Sequence, residues 1–286
     1  MYLMKIADRI ATVYALRKRM LRLLKTSHRA RAGSDTSAAG EFAHLKHLVE
    51  RLKIDGGYIV DIAASDGVTQ SCTLGFFSNF NWRGLAVEMD PEKFANLAFV
   101  YARFEDVKLA RCKVTPGNIG ALLQGNEVPR DFTLLNLDID SYDLHVIAEL
   151  LRADFRPTII SMEINEKIPP PLLFSVNFDE SHYWKLDHFY GCSLSAAAVV
   201  VKPFGYDLES LEFNNAIFVR KDVATGVIQD RTPEEAYDVG YRHKPRRKEL
   251  FPYNSNVDCA LANTPEENVR FFREFFKDYR GKFTLE

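Results

Sequence analysis

The chain has 286 residues, of which 47% are hydrophobic, 12% aromatic and 27% charged, enough apolar content for a large core, so a disordered or fibrous polypeptide is excluded. Its 37 Lys/Arg against 39 Asp/Glu give a net charge of −2, which excludes a general nucleic-acid binder, a class that is strongly basic. The sum conceals an asymmetry: residues 1–32 carry nine Lys/Arg against Asp8, a net of +8, so the remainder carries −10.

Residues 1–25 place Leu3, Ile6, Ile10, Val13, Leu21 and Leu24 near helical spacing with Arg/Lys mostly between them, which predicts a basic amphipathic helix. Two uses stay open: packing on the domain or on a second subunit in a homo-oligomer, or peripheral contact with an anionic membrane at its inner face. The small, polar stretch 28–41 reads as a linker. The expected organisation is therefore a helix and linker (1–40), an α/β body (41–222) and a helical C-terminal extension (223–286). No apolar run reaches the roughly 18–20 residues that span a bilayer, and no secretory leader is evident. Cys72, Cys112, Cys192 and Cys259 lack CxxC spacing, so free thiols and a cytoplasmic setting are expected.

A helix is expected over 41–53. Short apolar runs then alternate with helical stretches, the pattern of βαβ units feeding a parallel sheet. The runs are 57–63, 83–89, 107–114, 131–139 and 157–164, with helices near 69–80, 91–102, 117–124, 142–153 and 193–203. Residues 206–212 and 215–222, only a few residues apart, predict a closing antiparallel pair. The fold class is thus a Rossmann-like, doubly wound, mostly parallel sheet with a final antiparallel strand. Thr232-Pro233-Glu234-Glu235 and Thr264-Pro265-Glu266-Glu267 each predict a capped helix start. Phe271, Phe272, Phe275, Phe276 and Tyr279 form a stripe expected to dock on the domain. The basic segment 240–251 reads as an exposed loop, either simply solvated or taking an anionic acceptor.

In such a sheet a ligand lies outside the carboxyl ends of the strands. The first exit, VDIAASDG (60–67), has an Asp, small residues that let a ligand approach, and a Gly leading toward a helix. Glu88, 21 residues past Gly67, can accept hydrogen bonds from ribose hydroxyls. The single Gly in AASDG lacks the G-x-G-x-x-G of a pyrophosphate cradle, which favours S-adenosylmethionine over a nicotinamide dinucleotide. An NAD(P)-dependent oxidoreductase remains the enzymatic alternative. A non-catalytic module at a membrane surface or in an assembly is the other.

VDIAASDG (60–67), LAVEMD (85–90), DFTLLNLDIDSYD (131–143), RPTIISMEIN (156–165), FYGCSLSA (189–196) and NNAIFVRKD (214–222) together resemble the class I S-adenosylmethionine-dependent methyltransferases, in particular the FkbM-like branch. In that family's D-x-G-A-x-x-G loop, Asp61, Ala64 and Gly67 match, while Ala63 replaces a glycine. The resemblance implies donor contacts from Asp61, Ala64, Ser65, Asp66, Gly67 and Asp138, a ribose contact from Glu88, and an adenine edge at Lys113, Val114 and Thr115. It also implies O-methylation of a sugar or glycosylated metabolite.

The fourth and fifth strands exit through Asp138-Ile139-Asp140 and Glu163-Ile164-Asn165, and alternation sets each pair on one side of its strand. These oxygens suit Mg²⁺ or another hard divalent cation, with Asp138, Glu163 and Asn165 as ligands. They suit equally an arrangement without metal, one carboxylate capping a helix and another meeting the cofactor amine. For the general base the candidates are Asp140 and His182, the latter in a loop (177–191) whose Tyr183, Trp184 and Tyr190 can stack on a ring. His188 and His145 are weaker candidates.

Overall fold

The computed structural model describes residues 35–286, so the expected basic helix of residues 1–25 lies outside the described residues. Strands β1 (Tyr58–Ile62), β2 (Arg83–Glu88), β3 (Val107–Arg111), β4 (Leu134–Leu137), β5 (Ile159–Glu163), β7 (Tyr206–Glu212) and β8 (Asn215–Arg220) form one sheet in the order β3-β2-β1-β4-β5-β8-β7. β1 pairs in parallel with both β2 and β4, and β8 runs antiparallel to β5 and β7. The mostly parallel, Rossmann-like sheet and its closing antiparallel pair are as the sequence predicts. Central strands are covered on both faces, which is why they read as nearly unbroken apolar runs with acids only toward their exits.

Helices α1 (Glu41–Arg51), α2 (Leu74–Phe80) and α3 (Pro91–Tyr101) cover one face, where Leu45, Phe76, Phe77, Leu97 and Tyr101 are buried. On the opposite face lie α4 (Ile119–Gly125), α5 (Asp143–Arg152) and α6 (Leu194–Val201), which bury Ile119, Leu123, Ile147, Leu151 and Ala197. The winding reverses between β1 and β4, so a crevice opens above their carboxyl ends.

Several boundaries differ from expectation. α2 begins at Leu74 rather than near 69, because side chains capture the backbone first: Asp66 Oδ1 accepts from Val68 and Thr69, and Ser71 Oγ from Leu74. The expected linker is anchored from residue 35 onward; Ser37 bridges to Gln70, and Thr36 Oγ1 donates to the Ser71 carbonyl at 2.9 Å. The basic segment 240–251 is partly structural. Arg247 is buried and makes a two-point pair with Asp258, at 2.5 and 3.1 Å, while Lys244 meets Glu212 at 2.5 Å.

A second, two-stranded sheet of β6 (Phe174–Val176) and β9 (Phe283–Leu285) was not foreseen. It covers a separate cluster in which helix α8 (Pro265–Phe275) contributes Phe272, and Phe174, Phe189 and Phe276 fill the rest. The aromatic stripe is thus a docking face. Helix α7 (Pro233–Tyr237) and α8 both begin with complete capping boxes, on Thr232/Glu235 and Thr264/Glu267. All four cysteines are free, and no helix of the described residues is long and apolar enough to cross a membrane.

Candidate active site

The turn after β1 begins the site. Ala63 and Ser65 both have left-handed backbones, φ 66° and 52°, and Gly67 follows at φ 76°. At Gly67 a Cβ would stand 2.6 Å from the Tyr101 ring and 2.7 Å from Leu97, so only glycine fits. This coil turns the Ser65 amide toward Glu88, whose Oε2 accepts it at 2.9 Å; Glu88 Oε1 accepts from Asp90 N at 2.7 Å. The Glu88 carboxylate is thereby fixed at the end of β2, with lone pairs left for a further donor.

Glu88 lines a cleft of about 300 Å³ together with Ala63, Lys93, Lys113, Val114, Asp138, Ile139, Ser141 and Tyr142. His182, Tyr183 and Trp184 of the 177–191 loop also line it. Lys113 donates to the Glu180 carbonyl, tying the β3 exit to that loop. The Val114 carbonyl accepts from Tyr142 OH at 3.1 Å. The predicted donor residues Glu88, Lys113, Val114 and Asp138 therefore share one cleft.

Asp61 and Asp66 are placed otherwise. Asp61 is buried beneath the loop, its Oδ2 accepting from Thr73 Oγ1 at 2.6 Å and its Oδ1 from Asn136 Nδ2 at 2.8 Å. Burial pushes its carboxyl up, and the Thr73 and Asn136 hydrogen bonds oppose that rise. Its observed partners are structural: it joins β1 to β4 and to the start of α2. Asp66 spends both oxygens on the Thr69 turn. Ala64 is buried and donates its N–H to the Val87 carbonyl, so it supports the loop from below.

Asp138, which lines the cleft, belongs to a carboxylate cluster: one oxygen from each of Asp138, Asp140 and Glu163 lies within 4.8 Å of the others. Glu163 is buried; its Oε1 accepts from Asn214 Nδ2 at 2.6 Å, and its Oε2 is buried without a partner. Burial pushes all three carboxyls up, Asp138 to about 8; the charge of Asp140 adds to this at Asp138, and those of Asp138 and Asp140 add to it at Glu163. At Asp140 the nearby charges of Lys93 and Lys167 oppose the rise. Asp140 sits in a left-handed conformation, φ 54°, uncommon for a side-chain-bearing residue.

Asn165 departs from its expected place among metal ligands. It is fully buried and its Nδ2 donates to the His188 and Tyr190 carbonyls at 2.9 and 3.0 Å, so its amide anchors the aromatic loop. Beside it, Lys167 and Glu166 form a buried pair at 3.0 Å, completed by Tyr190 OH and by Asn254 of the C-terminal extension. Sequence reasoning missed this network and Asn136, and it also left unused Asp143, the third acid of DIDSYD. Their signal was a polar residue where apolar burial is expected.

His182 reaches the cleft, its Nε2 buried without a partner. Partial burial lowers its pKa below the ordinary histidine value, against the opposing charges of Asp179 and Asp187. His145 is held by the Val176 carbonyl at 3.0 Å, and the His188 ring packs on Phe275.

No family model matches the chain, and neither does any curated protein. Among solved structures, it resembles the N-terminal domain of EvdMO1 solved in the presence of SAH and D-fucose, at 9% identity over 68% of this chain and 95% of that one, with a TM-score of 0.43. M. capricolum TrmK in complex with SAH aligns at 9% identity over 82% of this chain and 88% of that one, TM-score 0.39. The METTL16 MTase domain aligns at 12% identity and TM-score 0.35 over 43% of this chain, which spans about half of it (51%).

Proposed function

We propose that the chain is an S-adenosylmethionine-dependent O-methyltransferase acting on a hydroxyl of a sugar or glycosylated metabolite. The observation that carries this reading is a single cleft lined by Glu88 and by Asp138, the latter clustered in turn with Asp140 and Glu163. Glu88 suits a ribose diol: it is held by two backbone amides and keeps acceptor capacity. Val114, Ile139 and Tyr142 give the cleft an apolar wall suited to a purine. The bound donor supplies a methyl carbon made electrophilic by its sulfonium.

The chain's own groups orient the acceptor and take its proton. The carboxylates accept hydrogen bonds from a polyol, aligning one oxygen for in-line attack, and this proximity supplies much of the rate. As that oxygen bonds to carbon, its proton passes to Asp140, clustered with the cleft residue Asp138, or to His182, which lines the cleft. Tyr183 and Trp184 line the cleft beside His182 and can stack on an acceptor ring.

The donor set also fits a divalent cation. Three carboxylates with oxygens within 4.8 Å of one another are hard ligands that gain from a positive charge among them, and Glu163 Oε2 is buried without a partner. Asp138, Asp140 and Glu163 would hold it, and it would lower the pKa of an acceptor hydroxyl.

Calorimetric titration with S-adenosylhomocysteine and, separately, NADH, with Mg²⁺ or EDTA, tests the reading. Micromolar homocysteine-product binding is expected, weakened about 10- to 100-fold in Glu88→Ala, the size of lost hydrogen bonds to a charged group. Binding of NADH alone would favour the oxidoreductase, and binding of neither the non-catalytic module.

A further inference from the structure

Asp143 touches neither the cleft nor the carboxylate cluster, yet the segment joining them is built on it. The side chain is 1% exposed. Its Oδ1 accepts from Ile139 N at 2.8 Å and its Oδ2 from Ser141 N at 3.0 Å, the amides on either side of Asp140. Those two bonds hold residue 140 in its left-handed conformation, φ 54°, which costs a non-glycine residue free energy. Ile139, Ser141 and Tyr142 of the same segment line the cleft, and the Ser141 carbonyl accepts from Gly191 N at 2.8 Å, fixing the end of the His182 loop.

We infer that Asp143 is the positioning residue of the acceptor site, clamping residues 139–141 so that Asp140 stays turned toward Asp138 and Glu163. The inference rests on the methyltransferase reading for its catalytic meaning and on hydrogen-bond geometry for the clamp. An asparagine of the same shape accepts one of the two N–H groups but turns its own N–H₂ on the other, so Asp143→Asn opens one side of the clamp and leaves packing in place.

The test uses full-length wild type, Asp143→Asn, Asp140→Ala and the double variant. Methyl transfer from labelled S-adenosylmethionine to a panel of methyl glycosides is measured, with S-adenosylhomocysteine affinity and hydrogen exchange across 137–143. Asp143→Asn is expected to lower kcat about 100-fold, the scale of a small misplacement of reacting groups, with product affinity changed less than about threefold. Exchange of the Ile139 and Ser141 amides should rise while the core stays protected. The double variant should be no slower than Asp140→Ala, because Asp143 acts through residue 140.

Additive losses, an unchanged kcat, or parallel loss of product affinity would overturn the assignment. Asp143→Glu guards against a folding failure: it keeps both acceptors and should recover part of kcat. Should wild type methylate none of the glycosides, the function reading loses its support, while amide exchange still decides the clamp: unaltered exchange in Asp143→Asn refutes it.

Discussion

Ala63 shows how a single residue can oppose its local geometry. Its φ of 66° lies where a Cβ costs about 1–2 kcal/mol, and the loop motif that the sequence resembles has glycine there. Replacing an ordinary alanine by glycine destabilises by about 0.5–1 kcal/mol, through the entropy of the unfolded chain. At position 63 the two effects oppose, so Ala63→Gly should leave the midpoint of thermal unfolding unchanged or raise it, whereas a fall of several degrees would show that the Ala63 methyl packs favourably. The departure from the glycine pattern was visible in the sequence. The left-handed Asp140 was not, because the amides on either side of it are held by Asp143, a pairing that exists only once the segment is folded.

Elements with a local cause were legible and those with a distant cause were not. The capping boxes at Thr232 and Thr264 are written in four consecutive residues and form as read. The three-residue strands β6 and β9 have no period of their own and exist because segments 174–176 and 283–285 meet. Against them packs an aromatic cluster in which Phe272 is fully buried. Phe272→Ala should therefore cost about 3–5 kcal/mol, against about 1 kcal/mol for Thr264→Ala at the start of the same helix. Denaturant unfolding of the two variants distinguishes these values, and near-equal losses would mean that the stripe docks weakly. The basic segment 240–251 read as exposed because charge marks a solvated face; Asp258 and Glu212, which neutralise Arg247 and Lys244, lie outside that segment.

At the scale of the molecule, the site concentrates carboxyl groups whose pKa values folding raises: Asp61, Asp138, Asp140, Asp143 and Glu163. A raised carboxyl contributes stability that is complete below its unfolded value near 4 and is lost as pH climbs through its folded value, which for Asp138 is about 8. Asp138→Asn removes that titration. Its stability relative to wild type should increase between about pH 5.5 and about pH 8.5, by at least about 1 kcal/mol, read from thermal unfolding at each pH. A constant difference would mean that Asp138 keeps its ordinary pKa in the folded protein. Such a gain with loss of function is the usual exchange at a site built from strained or repelling groups.

By itself the sequence determined the strand order's raw material: apolar runs buried on both faces, helices between them, and acids at the strand exits, because burial and periodicity act over a few residues. It thereby located Glu88 and the Asp138, Asp140 and Glu163 carboxylates. The tertiary structure decided which of the exit residues face the cleft. Asp61, equally acidic and equally placed at a strand end, is turned inward onto Asn136 and Thr73, and Asn165 onto the carbonyls of the aromatic loop. Neither orientation is encoded at its own position, since a buried polar side chain takes the hydrogen-bond partners that the rest of the fold brings to it.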